Sequence, residues 1–409
     1  MKVLLINACH FRRGGSETVY FNTARLLRER GHEVSFFSSA DPRNLPTEFE
    51  KYFTSISGFR NLSLLKKITN IPAYIYNREA ARKLDQLLTD HRPDVAHVHL
   101  FYAVLSVSIL KVLKKHGIPI VHTVHDYRLI CPVNTLINRH GQVCELCSDK
   151  RYFHCTRNRC KDGNLLQSIM VTAEAYFWKY FESPLRYIDH YIFVSKFSKN
   201  KHLEFNDRFR GKFTQLYNFT NEEAKKDFVK GDYFLYFGRL SKEKGLGTLI
   251  STFEKIKDQK LKIAGGGPML EIVQSSARKN SNIDYVGFKT GLELEELIRN
   301  AFFVIMPSEC YENNPLSIIE AYNYGKPVIG ADIAGIPELI ENNRNGFLFR
   351  SGSPESLGSA VRSAASIPEA GYIEFSEKAY DFAQEHFSVD NHYKKLMEVF
   401  NNVVDKKIS

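Results

Sequence analysis

The chain has 409 residues, enough for two or three domains that each bury a core of their own. Hydrophobic content of 43% and charged content of 25% are those of a soluble globular protein, and no apolar run approaches the roughly eighteen residues of a membrane span. The net charge of +10 is uneven: residues 1–212 carry 33 Lys and Arg against 19 Asp and Glu, and the remainder 23 against 27, so the first half is expected to face an anionic surface. No nucleic-acid motif accompanies that charge, so a membrane leaflet fits better, each basic residue contributing on the order of 1 kcal/mol. A basic surface tuned for solubility is the alternative.

Val3–Ile6 is an apolar run suited to a parallel strand buried on both faces. It is too short for a secretion signal, which places the protein in the cytosol. Gly14-Gly15 follows, with Ser16 as the expected cap of a helix whose Tyr20, Ala24 and Leu27 keep helical spacing and which Gly31 ends. Val34–Phe37, Val95–Val98, Ile118–Val124 and Tyr191–Val194 continue the strands, with helical stretches such as Ser106–Lys115 between them. A second series runs through Tyr233–Phe237, Leu261–Ala264, Ile283–Val286, Phe302–Met306, Pro327–Gly330 and Phe347–Phe349. The alternation predicts an α/β chain of two Rossmann-like domains. The expected bounds are 1–212, with a Cys-rich insertion at 131–160, then 213–391. A final segment, 392–409, should supply a helix. The polar stretch 219–232 is the expected linker. Ligands in such sheets bind beyond the carboxyl ends of the strands, so two facing domains imply an interdomain cleft.

Within the second series, Glu312-Asn313-Asn314-Pro315-Leu316 precedes Glu320. Pro315 suits the first position of a helix, which leaves Glu312 on the preceding loop and Glu320 in the second turn. The helix start at Asn314, Pro315 and Leu316 favours an anion. Upstream, Arg239 and Lys244 lie where a strand ends and a helix should begin. Two cations, two acceptor carboxylates and a helix N-terminus are what a sugar attached to a nucleoside diphosphate requires. Gly265-Gly266-Gly267-Pro268 forms another strand-to-helix turn, weak on its own because such turns are common.

Together these motifs resemble the retaining glycosyltransferases of the two-Rossmann GT-B class, family four, whose signature is a Glu, seven residues, Glu block preceded by Gly-Arg and Lys-Gly. The likeness spans nearly the whole chain, including Gly14-Gly15-Ser16-Glu17 and Thr123-Val124-His125-Asp126. One departure is Asn313, where the family usually has Gly; Asn tolerates left-handed backbone better than other side chains. The resemblance implies that the last helix, His392–Val404, returns to the first domain. It implies that Arg239 and Lys244 stabilise a leaving diphosphate, with Glu312 and Glu320 accepting from sugar and ribose hydroxyls. His125 would meet the transferred sugar or acceptor, with Asp126 either orienting it or accepting a proton from the acceptor hydroxyl. Gly14 and Gly15 would approach the donor phosphates, and Gly265 and Gly266 the nucleotide. The implied donor is a UDP- or GDP-linked sugar, and the implied acceptor a glycan or lipid-linked glycan of a cell-surface polysaccharide, met at the inner face of the membrane. No Asp-any-Asp pair stands at a strand end, so catalysis is expected to need no divalent ion or other cofactor, and no nucleic acid is an expected partner.

Five of the seven cysteines fall between Cys131 and Cys160. Cys144 and Cys147 have the two-residue gap of a zinc knuckle, with twelve residues between them and Cys131 on one side and Cys160 on the other. In a cytosolic protein this pattern favours metal over disulfides, so Cys131, Cys144, Cys147 and Cys160 are expected to hold structural zinc, or less commonly an iron–sulfur cluster. Cys155 or His154 could replace one ligand, and free thiols are the alternative. Two other functions share features with this chain: a nucleotide-sugar 2-epimerase of the same architecture, and a zinc-bearing nucleic-acid or scaffold protein.

Overall fold

The computed structural model describes residues 1–55, 71–220 and 228–408. The chain divides into two compact units: Met1–His140 with Cys144–Tyr217 and Val389–Ser409, and Asn218–Ser388 with Gly141–Val143. Each is built on a six-stranded sheet whose strand pairs are all parallel. The fold is α/β with two Rossmann-like domains.

The first sheet has the order β2-β1-β3-β4-β5-β6, with β1 Lys2–Ile6, β2 Glu33–Phe37, β3 Val95–Val98, β4 Ile120–Val124, β5 His190–Phe193 and β6 Phe213–Gln215. Val3, Leu4, Leu5 and Ile6 are wholly buried, because helices cover both faces of a parallel sheet and leave no polar side for alternation. Strand β6 has no counterpart in the predicted elements. Its Phe-Thr-Gln is short and half-exposed at the sheet edge, so no apolar run announces it. Its pairing with β5 carries the first unit to Tyr217, past the expected boundary.

Helix α1 (Gly15–Glu29) starts one residue before the expected cap: Gly14 is the N-cap, in extended backbone at φ −170°. The Gly14 carbonyl accepts from Thr18 N–H at 3.1 Å, and Ser16 Oγ turns instead to Glu17 Oε2 at 3.1 Å. Gly31, at φ +79°, ends the helix as expected. The last helix, Val389–Ile408, belongs to the first unit. Its His392 Nδ1 bonds the Tyr217 carbonyl at 3.0 Å, and Tyr393 OH meets His32 Nε2 at 2.8 Å. Leu396, Val399 and Phe400 form its buried face.

The second sheet has the order β12-β11-β10-β7-β8-β9, with β7 Phe234–Phe237, β8 Leu261–Ala264, β9 Ile283–Gly287, β10 Phe303–Met306, β11 Val328–Ala331 and β12 Gly346–Phe349. Residues 221–227 of the expected linker lie outside the described residues. Before them, Asn218 N–H donates to Asn314 Oδ1 at 2.6 Å, Asn218 Nδ2 donates to the Asn314 carbonyl at 3.0 Å, and Asn323 Nδ2 donates to Thr220 Oγ1 at 2.6 Å. In each sheet chain order reverses at one place: between β1 and β3 in the first, and between β10 and β7 in the second. Loops diverge there at the carboxyl ends of the strands and leave a crevice where open α/β sheets hold ligands.

Candidate active site

At the switch point of the second unit, the loop after β7 meets the loop after β10. Lys244 closes a short 3-10 turn (Lys242–Lys244), and Gly245 follows in left-handed backbone at φ +74°. A Cβ on Gly245 would lie 1.8 Å from the Pro307 carbonyl oxygen, so only glycine lets the two loops touch. That contact brings together two groups 68 residues apart: Lys244 Nζ forms an ion pair with Glu312 Oε1. Ser308 Oγ donates to the same oxygen at 3.0 Å. Burial works against the Lys244 ammonium, but the adjacent Glu312 carboxylate outweighs it and raises the pKa above the usual lysine value.

Arg239 sits on the same loop and is exposed. No ion pair or side-chain hydrogen bond engages its guanidinium among the described residues. Tyr236 OH donates to the Arg239 carbonyl at 2.7 Å and anchors the backbone beneath it. The helix after Glu312 runs from Leu316 to Asn323 with Pro315 as its N-cap, one residue later than predicted. Glu320 falls in its second turn, half-buried. Asn314 is buried and holds Asn218, so its side chain braces the unit.

The triple-glycine turn follows β8, which neighbours β7. Cβ atoms would lie 1.9 Å from the Gly238 carbonyl oxygen on Gly265 and 2.4 Å from that of Leu240 on Gly267. Both glycines have positive φ, at +143° and +154°. Gly266 differs: its Cβ would meet only Phe288 Cδ2, at 3.9 Å. Gly265→Ala is therefore expected to cost on the order of 2–3 kcal/mol in urea unfolding, whereas Gly266→Ala should stay within about 0.5 kcal/mol of the parent. Equal midpoints for the two variants would show that the turn is not pressed against the Arg239 loop.

At the switch point of the first unit, Gly14 and Gly15 are exposed where α1 begins, and Glu17 is buried one turn on. His125 follows β4, half-buried. Burial lowers its pKa to about 3, with the neighbouring His122 adding to the effect, so the ring is neutral at physiological pH. Asp126 was expected to orient it. Instead the two Asp126 oxygens accept from Arg128 N–H at 3.0 Å and Asn134 Nδ2 at 2.9 Å, which fastens the start of the Cys-rich segment. The group against His125 is His99, at the end of β3: His99 Nδ1 and His125 Nε2 are 2.8 Å apart. The only sign of it in the sequence is a His-Val-His strand end, His97 to His99.

The expected zinc site finds no support in the fold. Among the described residues, no group of three or more His, Cys, Asp or Glu side chains is placed to hold a metal ion, and all seven cysteines are free thiols. The thiols are neighbours all the same: Cys131, Cys144 and Cys155 act electrostatically on both Cys147 and Cys160. The Cys131 thiol accepts from the Val133 and Leu136 backbone, and burial still raises its pKa to about 11. Cys147 accepts from the Cys155 backbone and is likewise pushed up by burial, and Cys155 and Cys160 are hydrogen-bonded to each other. The insertion is held by a buried ion pair between Arg128 and Glu174, with Arg128 also lying 5.4 Å from the Trp178 ring.

Residues 13–223 match the family described as Glycosyltransferase Family 4, and residues 218–384 match Glycosyl transferases group 1. An uncharacterized 42.6 kDa protein in the cps region of Klebsiella pneumoniae is 23% identical over 355 residues, 83% of this chain and 87% of its own. N-acetyl-alpha-D-glucosaminyl L-malate synthase of Bacillus anthracis is 25% identical over 377 residues, 86% of this chain and 84% of its own. Among solved structures, Anabaena Alr3699/HepE in complex with UDP aligns with a TM-score of 0.68 at 16% identity, over 98% of this chain and 100% of that one. At that identity the likeness is one of fold.

Proposed function

Since the chain belongs to glycosyltransferase family 4, we propose that it moves a sugar, with retention, from a nucleoside diphosphate to a hydroxyl of a glycan or lipid-linked acceptor in cell-surface polysaccharide synthesis. The observation that carries this reading is the Lys244–Glu312 pair at the switch point of the second unit, with Arg239 exposed on the same loop as Lys244. Lysine has three donors, so Lys244 can keep Glu312 and still reach a phosphate oxygen. Arg239 is available for the same diphosphate, and the second Glu312 oxygen can accept from a sugar hydroxyl. Glu320 is assigned to the ribose. The relative from the cps region of Klebsiella pneumoniae supports the polysaccharide setting, and the UDP held by Anabaena Alr3699/HepE supports a uridine donor first and a guanosine donor second.

The transfer makes a bond from the acceptor oxygen to the anomeric carbon on the face from which the diphosphate oxygen departs. The anomeric carbon–oxygen bond to the diphosphate breaks, and the acceptor proton passes to the leaving diphosphate. Arg239 and Lys244 stabilise the charge that develops there, the work a divalent ion does in other transferases. Activity should therefore persist in EDTA; immediate loss restored by magnesium or manganese would overturn the metal-free step. Thermal shift with UDP-, GDP- and ADP-sugars tests the reading as a whole. One nucleotide class should raise the melting temperature, and no response to any of them would count against it.

No described helix is long and apolar enough to cross a membrane. Contact with an anionic leaflet at the cytoplasmic face is assigned instead to the first unit. There Tyr180 and Phe181 are exposed, Lys179 lies 5.0 Å from the Tyr180 ring, and Lys150 and Arg157 belong to the same insertion-and-helix segment. Flotation with vesicles containing phosphatidylglycerol, and none with phosphatidylcholine alone, is the expected result.

A further inference from the structure

The Cys-rich insertion and the helix Leu165–Tyr180 border a cleft that glycosyl transfer as outlined above does not use. It lies wholly within the first unit and has a volume of about 240 Å³. Four cations line it, Arg128, Lys150, Lys179 and Arg208, and no Asp or Glu does. Ile130, Tyr152 and Trp178 supply apolar wall between them.

Cations gathered in one cleft repel one another unless anions compensate them. Only one of the four is compensated: the buried Arg128 guanidinium is paired with Glu174. The acids closest in the chain to the other three are each taken by a different cation, Asp149 by Arg151, Glu182 by Lys111 and Asp207 by Arg210. Lys150 stands in left-handed backbone at φ +63°, and its carbonyl accepts from Lys179 Nζ at 3.1 Å. That bond occupies one of the three Lys179 donors. The Lys150 and Arg208 side chains have no ion pair or hydrogen bond among the described residues. Trp178 is 7% exposed, and its indole N–H is buried without a partner among the described residues, although a buried indole ordinarily has one. The cleft therefore holds three uncompensated positive charges and a wall donor that nothing accepts from.

We propose that this cleft is a binding site for a terminal phosphate, carried as a monoester or a diphosphate, with no residue in common with the donor site assigned to the second unit. A phosphate monoester has close to two negative charges at neutral pH and three acceptor oxygens, which Lys150, Lys179 and Arg208 can share. A diester has a single charge and would leave two of them uncompensated. The volume is below the roughly 300 Å³ at which pockets for whole drug-sized ligands begin, so the cleft suits a phosphate head and the first atoms esterified to it. A soluble phosphate ester and a lipid head group both have that chemistry. Tyr180 and Phe181, exposed directly after Lys179, favour the lipid. The site does not depend on what the second unit transfers.

Trp178 is the one tryptophan of the chain, so tryptophan fluorescence reads this cleft directly. Glycerol 3-phosphate is expected to change the emission saturably, and phosphatidylcholine vesicles containing phosphatidic acid to do so at lower phosphate concentration. Vesicles with phosphatidylglycerol in place of phosphatidic acid should need about tenfold more. Arg208→Gln, at an exposed position not called on for the leaflet contact, should weaken both responses about tenfold, the worth of one charge-assisted hydrogen bond. The same variant should still float with phosphatidylglycerol vesicles and keep the thermal shift with nucleotide sugars. A response to glycerol 3-phosphate that vesicles do not improve would uphold the site with a soluble ligand, and a response to phosphatidic acid alone would uphold it with a lipid one. Unchanged emission with every phosphate, or a response that Arg208→Gln leaves intact, would overturn it. Absence of transfer with every nucleotide sugar would sink the functional reading while the fluorescence still decides this one.

Discussion

Replacing Lys244 with Ala is expected to lower turnover about a hundredfold, the usual loss when one donor to a developing negative charge is removed. Arg239→Ala should fall by a similar factor, for the same reason at the other side of the diphosphate. Their effects on folding should differ. Arg239 is exposed and has no ion pair among the described residues, so its loss should change stability by less than about 0.5 kcal/mol. Lys244 neutralises a carboxylate whose side chain is only 13% exposed, so its removal leaves Glu312 with the uncharged donors Ser308 and Cys310 and should lower the unfolding midpoint measurably. Steady-state kinetics with the stabilising donor, alongside urea unfolding, separate the two. Near-normal turnover in both variants would remove these residues from the chemistry.

The second large effect concerns the two glutamates, and it is read by binding rather than by rate. Glu312→Ala should abolish most transfer, again by roughly two orders of magnitude, because the sugar loses its acceptor. The same change releases the Lys244 ammonium from its ion pair, so a nucleoside diphosphate without sugar should bind this variant as well as the parent or better. Glu320→Ala should show the reverse, with affinity for that diphosphate down about tenfold for the lost ribose hydrogen bonds. Calorimetric titration with UDP or GDP makes the comparison. Equal loss in both variants would contradict the separate assignments.

Much of this could be read from the chain before any coordinates. Long apolar runs punctuated by glycine located eleven of the twelve strands among the described residues to within two residues at either end, because a parallel sheet is buried on both faces and its strands carry no polar alternation. The missed strand, Phe213–Gln215, is the edge of its sheet and half-exposed, where burial no longer dictates composition. Ser16 was a sound cap by propensity. It lost to Gly14 because that helix opens from extended backbone, and the Ser16 hydroxyl bonds Glu17 instead.

The divide between sequence and tertiary structure is clearest in the side-chain groupings. Local spacing determined the two Rossmann-like units, the Glu312 to Glu320 interval and the glycines at strand ends, since each depends on the pitch of a helix or the turn after a strand. It could not determine that Lys244 and Glu312 meet, because their 68-residue separation is closed only by the adjacency of β7 and β10 and by the missing Cβ of Gly245. Nor could it determine the fate of the cysteines. Their zinc-like spacing says nothing about where sulfurs point; in the fold backbone amides bond Cys131 and Cys147, and the Cys155 and Cys160 thiols bond each other. The partner of His125 was likewise decided by packing: β3 and β4 lie side by side, and that neighbourhood puts His99, rather than the Asp126 next in sequence, against its ring.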